Sequence, residues 1–104
     1  MKLADIARVI RSKNAGPFLF TFDIIFADVE TLDRVRATGS LTREIVAGLY
    51  GVGADDIVDF AYYPIARAVK FSLYRPLPSG ARFDTDVYGA QQHAPLLTLP
   101  IALD

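Results

Sequence analysis

Along this chain the apolar positions change period several times, and each change marks an element. Leu3, Ile6, Val9 and Ile10 recur at helical spacing, with Lys2, Asp5, Arg8 and Arg11 between them. That pattern predicts an amphipathic helix of about three turns. Ser12-Lys13-Asn14-Ala15-Gly16-Pro17 would end it, with Gly16 as a left-handed cap and Pro17 as a stop. Phe18, Phe20, Phe22, Ile24 and Phe26 then alternate without a break, which predicts the clearest strand of the chain. Its other side carries Leu19, Thr21, Asp23, Ile25 and Ala27. A face wetted by solvent would be more uniformly polar, so this half-apolar face is a candidate interface.

Asp28 is placed to cap a helix whose inner side is Val29, Leu32 and Val35 and whose end is Gly39. A shorter helix is expected at about 42–50, with Ile45, Val46 and Leu49 inward and Gly51 as its stop. Residues 57–63 and 67–75 read as two strands around a turn at Pro64. In the second, Val69, Phe71 and Leu73 face one way and Ala68, Lys70 and Ser72 the other. The prolines at 76 and 78 exclude a central strand there. Leu97, Leu99, Ile101 and Leu103 form a plausible last strand. The expected fold class is therefore α+β, one domain over residues 1–104. It has a three- or four-stranded mixed or antiparallel sheet with two to three helices on one face.

Composition adds a pointer to partners. Removing the five Tyr from the hydrophobic count and adding the seven Gly gives 56 of 104 residues, about 54%. The ordinary share is about 45–50%. An excess of this kind in a small domain favours an oligomer or a partner subunit over a free monomer. Eleven basic and twelve acidic residues nearly balance, and no basic run gives nucleic acid an electrostatic footprint. The absence of cysteine excludes disulfides, thiolate metal sites and cysteine nucleophiles. Residues 1–12 are too short and too charged for a signal peptide or membrane span. A cytoplasmic protein is the expectation.

The chemistry-bearing residues gather in a loop of nearly 20 residues, long for such a domain. Asp84, Asp86, Tyr88, Gln91, Gln92 and the single histidine, His93, fall within ten positions. His93 is the natural proton carrier near neutrality. Asp84 and Asp86 could orient it, and Gln91 and Gln92 could hold a carboxylate, amide or hydroxyl. Equally, aspartates in loops bond their own backbone, and binding without chemistry or a purely structural loop accounts for the same residues. One His and two Asp lack the spacing of a metal signature, so no metal or cofactor is expected.

A second stretch, around Lys13 and Asn14, resembles a phosphate cradle in composition but sits at the wrong end of its expected helix. There Lys13 would instead offset the helix dipole, worth up to about 1 kcal/mol. A grip by Lys13 and Asn14 on an anionic partner stays open. Asp23, in mid-strand, reads as a gatekeeper charge or half of an interfacial salt bridge. Gly51-Val52-Gly53 lacks the strand-before-helix setting of a dinucleotide fingerprint.

Ser12-Lys13-Asn14-Ala15-Gly16-Pro17, together with Asp84-Thr85-Asp86-Val87-Tyr88-Gly89-Ala90-Gln91-Gln92-His93-Ala94-Pro95-Leu96, resembles a small bacterial family of unknown function. Its members accompany, or are fused to, AtuA-type proteins of acyclic terpene utilisation. The resemblance implies a small subunit of an AtuA-like enzyme acting on acyl-CoA or hydroxy-acid metabolites. It also implies a ferredoxin-like fold or a rearranged version of one, and it supplies no catalytic residue. The alternatives are a self-contained enzyme or ligand-binding homo-oligomer using His93 with Asp84 and Asp86, and a plain oligomerisation domain.

Overall fold

A computed structural model of the chain describes residues 1–16, 18–74 and 94–103. The element order is α1 (Leu3–Ile6), β1 (Ala7–Gly16), β2 (Leu19–Phe26), α2 (Val29–Thr38), α3 (Arg43–Tyr50), a single 3-10 turn at Ala54–Asp56, β3 (Ile57–Tyr63), β4 (Ala68–Tyr74) and α4 (Ala94–Leu97). The four strands form one sheet in the order β1-β2-β4-β3, and every neighbouring pair is antiparallel. The class is α+β, as the pattern predicts. Two hairpins are joined by the helical crossover, an order distinct from the ferredoxin run of strand-helix-strand twice over.

The strand β2 organises the core. Phe20, Phe22, Ile24 and Phe26 have no exposed surface, and burial of side chains this size stabilises by about 1.5–3 kcal/mol each. Its partner β4 aligns Phe71 with Phe22, and the two rings stack at 4.7 Å. Leu32 and Val35 of α2, Val46 and Ala47 of α3, and Leu41 between them close the same side. Both long helices therefore cover one face of the sheet.

Their ends follow from local chemistry. The Asp28 side chain accepts the Thr31 N–H at 2.8 Å, and the Thr42 side chain accepts that of Ile45. Gly39 and Gly51 take φ values of 68° and 67°, a backbone that only glycine adopts without strain. Val29 and Ile45, expected inward, are instead exposed. Each lies in the first turn of its helix, where the apolar stripe has not yet come round to the sheet.

The largest departure lies at the N-terminus. The expected three-turn helix is cut to the single turn of α1, and from Ala7 the chain is strand. Ile10 pairs with Ile24 and Ser12 with Phe22, so β1 forms a hairpin with β2. The apolar spacing from Leu3 to Ile10 suits a helix, but the β-branched Val9 and Ile10 suit a strand as well. Pairing along the whole of β2 decides between them. Gly16 consequently pairs opposite Leu19 instead of capping a helix, and Lys13 meets no helix dipole.

The expected last strand is also corrected. Residues 94–97 are helical, and the segment after them runs extended beside the N-terminus, outside the four-stranded sheet. The Leu3 N–H donates to Leu99 O at 2.8 Å, and the Met1 ammonium donates to Ile101 O at 2.9 Å. Leu99 and Ile101 point into the core while Pro100 and Ala102 are exposed, so the alternation is real although the sheet partner is not.

Candidate functional site

Because both long helices occupy one face, the other face of the sheet carries the residues of opposite parity. They are Val9, Arg11 and Lys13 of β1, Thr21, Asp23 and Ile25 of β2, Lys70 and Ser72 of β4, and Tyr63 of β3. Register places Arg11 and Lys70 on either side of Asp23. The Arg11 Nε–H donates to Asp23 Oδ2 at 3.0 Å, and Lys70 Nζ lies 4.0 Å from Oδ1. The Lys70 ammonium also stands 5.9 Å from the centre of the Tyr63 ring, within cation–π range. Asp23 is thus paired on both sides within its own chain, where a gatekeeper charge or half of an interfacial bridge was expected.

Beside this ion pair the face is hollowed. A depression of about 400 Å³ is bordered by Arg11, Lys13, Thr21 and Asp23, and it extends across the sheet to Lys70 and Ser72. Ser72 is the one buried polar side chain among the described residues, at 9% exposure. A bulge between Val58 and Ala61 brings Asp59, at φ 55°, to the rim. That same bulge turns Phe60 back towards Phe71, ring centres 5.8 Å apart.

Around the charged centre the face is apolar. Val9, Tyr63 and Tyr74 are 37%, 43% and 45% exposed. Leu19 and Ile25 are half-buried beside them. The Phe18 and Tyr74 rings touch at the Leu19 end, with centres 6.3 Å apart.

Of the residues singled out from sequence, Lys13 borders the depression. Asn14 pairs opposite Phe20 and belongs to the helix-side face, so the sheet separates the two. Asp84, Asp86, Tyr88, Gln91, Gln92 and His93 lie outside the described residues. Among the described residues no three His, Asp or Glu side chains converge as metal ligands. No helix among them is long and apolar enough to cross a membrane.

Sequence reading missed Arg11, Lys70, Thr21 and Ser72 as a group. The alternation of β2 and β4 places Thr21 and Ser72 on the outer face, but their conjunction with Arg11 requires β1 to be a strand.

Two tyrosines carry displaced pKa values. Burial raises the Tyr50 phenol well above its usual value, and burial likewise raises Tyr62, partly opposed by the Arg36 guanidinium. Both pack on the helix side and are ring contacts of the core. Tyr50 lies against Phe22, and Tyr62 lies beneath Arg36. Neither opens on the depression.

Fold and site together define a small two-layer α+β protein with an open-faced antiparallel sheet and an ion-paired, cation-bordered hollow at its middle. The chain belongs to the family described as Domain of unknown function (DUF4387), whose model matches residues 3–100. No curated protein and no solved structure matches the chain.

Proposed function

We propose that the chain acts as a cytoplasmic small subunit, non-catalytic or co-catalytic, that docks onto a larger protein of the AtuA type handling acyl-CoA or hydroxy-acid metabolites. The observation that carries this reading is the open sheet face. Val9, Ile25, Tyr63 and Tyr74 present apolar surface around a charged centre, on the side opposite both long helices. Apolar side chains exposed together on one face mark an interaction surface. The choice of partner is supported by the two polar stretches at 12–17 and 84–96 and by their resemblance to the companions of AtuA-type proteins. The reading of a self-contained enzyme rests on His93, Asp84 and Asp86, and the described residues add nothing in its favour.

Co-expression with an AtuA-type protein, followed by size exclusion at micromolar concentration, tests the proposal. A single co-eluting complex is expected, lost when Val9 and Ile25 are both replaced by Glu. Clean separation of the wild-type proteins overturns it. Should the chain alone run as a dimer that the same double substitution dissociates, the face serves a homo-oligomer instead.

A further inference from the structure

We infer that the hollow between β1, β2 and β4 is a binding site for an oxyanion group, a phosphate or carboxylate carried by a metabolite-sized ligand. This goes beyond the subunit reading and does not depend on it.

Among the described residues, three cations border the hollow from two segments of sequence. Arg11 and Lys13 come from β1, and Lys70 comes across the sheet from β4. Asp23 offsets one of these charges and Asp59, at the rim, another, which leaves one net positive charge among the described residues around the hollow. The arrangement of the three cations is unequal. Asp23 takes the Nε–H of Arg11, so the terminal N–H groups of the guanidinium can still donate. Lys13 has no ion pair among the described residues. An anion therefore meets Lys13 and the outer edge of Arg11 first, on the side of the hollow away from Asp59.

Ser72 supplies the independent observation. Its side chain is buried to 9% exposure and borders the hollow, and its hydroxyl has no hydrogen-bond partner among the described residues. A buried hydroxyl without a partner is costly, and an incoming oxygen acceptor would satisfy it. Thr21, directly opposite Ser72 in the register, adds a second hydroxyl. Because its neighbours cover Ser72, only a small group can approach the hydroxyl. A volume of about 400 Å³ suits a small ligand, within the ordinary range of roughly 300–1,000 Å³ for such sites.

The test uses the isolated chain, with inorganic pyrophosphate and citrate as probes, titrated by calorimetry at ionic strength matched with sodium chloride. Wild type is expected to bind at least one of them, and the tighter probe identifies the phosphate or the carboxylate class. Lys13→Gln and Lys70→Gln should each weaken binding by about three- to fivefold, the scale of one exposed charge pair. Ser72→Ala should weaken it too while leaving the free protein at least as stable, since it removes an unsatisfied group and not a contact. Arg34→Gln, on the exposed side of α2, changes net charge equally and should have no effect. The inference is overturned if neither probe binds wild type, or if Arg34→Gln weakens binding as much as Lys13→Gln. Neither result bears on complex formation with a partner protein.

Discussion

Tyr62 of β3 donates its hydroxyl to the carbonyl of Leu41, 2.6 Å away, and so ties the edge of the sheet to the turn between the two long helices. The Arg36 guanidinium lies 5.2 Å from the centre of the same ring. Tyr62→Phe keeps the ring and leaves the Leu41 carbonyl without this donor. A loss of about 1 kcal/mol is expected, read as a lower urea midpoint at unchanged slope.

Alkaline pH should destabilise the protein through Tyr50 and Tyr62. Both phenols have folded-state pKa values raised by burial. Their stabilising contribution is complete below the ordinary tyrosine value of 10.0. Above it the unfolded chain loses protons that the folded one keeps, so stability falls as pH rises. Replacing Tyr62 with Phe should flatten this fall, measured as Tm against pH between neutrality and strong alkali.

Phe71 stacks on Phe22 and also meets Phe60, so its removal opens the centre of the core. Phe71→Ala should cost about 3–5 kcal/mol, much of the total stability of a domain this size. Phe71→Leu, which retains most of the volume, should cost clearly less. Equal losses from the two substitutions would mean that the site collapses around the smaller side chain.

The helix caps differ in their response to acid. Thr42→Ala should lower stability by about 1 kcal/mol at every pH. The Asp28 carboxyl is held below its ordinary value by the Thr31 N–H and hydroxyl. Its contribution is therefore present above the unfolded value of 3.8 and is lost as pH falls through the lowered folded one. Asp28→Asn should reduce the acid sensitivity of unfolding, and a Tm series from neutral to acid pH would show it.

Asp23 holds apart two cations that would otherwise repel one another. Asp23→Ala should cost no more than about 1 kcal/mol, because the pair is partly exposed. It should also make stability rise with added salt, as screening relieves Arg11 and Lys70. Denaturation at low and high salt would reveal that change of sign.

Most of the fold was legible where one physical signal dominated. The unbroken alternation from Phe20 to Phe26, the cap Asp28, and the stops Gly39 and Gly51 all correspond to what the chain does. The N-terminal segment was not legible, because Leu3, Ile6, Val9 and Ile10 satisfy a helical stripe while Val9 and Ile10 also suit a strand. Only pairing with β2, a relationship between distant backbone groups, settles the matter. The hollow was hidden for the same reason. Arg11, Asp23 and Lys70 stand in line only once three strands are in register, and no local run of charge announces them.

The strand order β1-β2-β4-β3 has a consequence for how the chain reaches its fold. Each hairpin closes over a short turn, whereas β2 and β4 meet only after both long helices have been looped out. Short closures cost little chain entropy and form in microseconds, while long ones are slow. The two hairpins should therefore be cheap and transient, and the rate-limiting step should be their docking along the Phe22–Phe71 seam. Substitutions in that seam would slow refolding, and so would changes at the Pro64 turn, which belongs to a hairpin formed before the docking step.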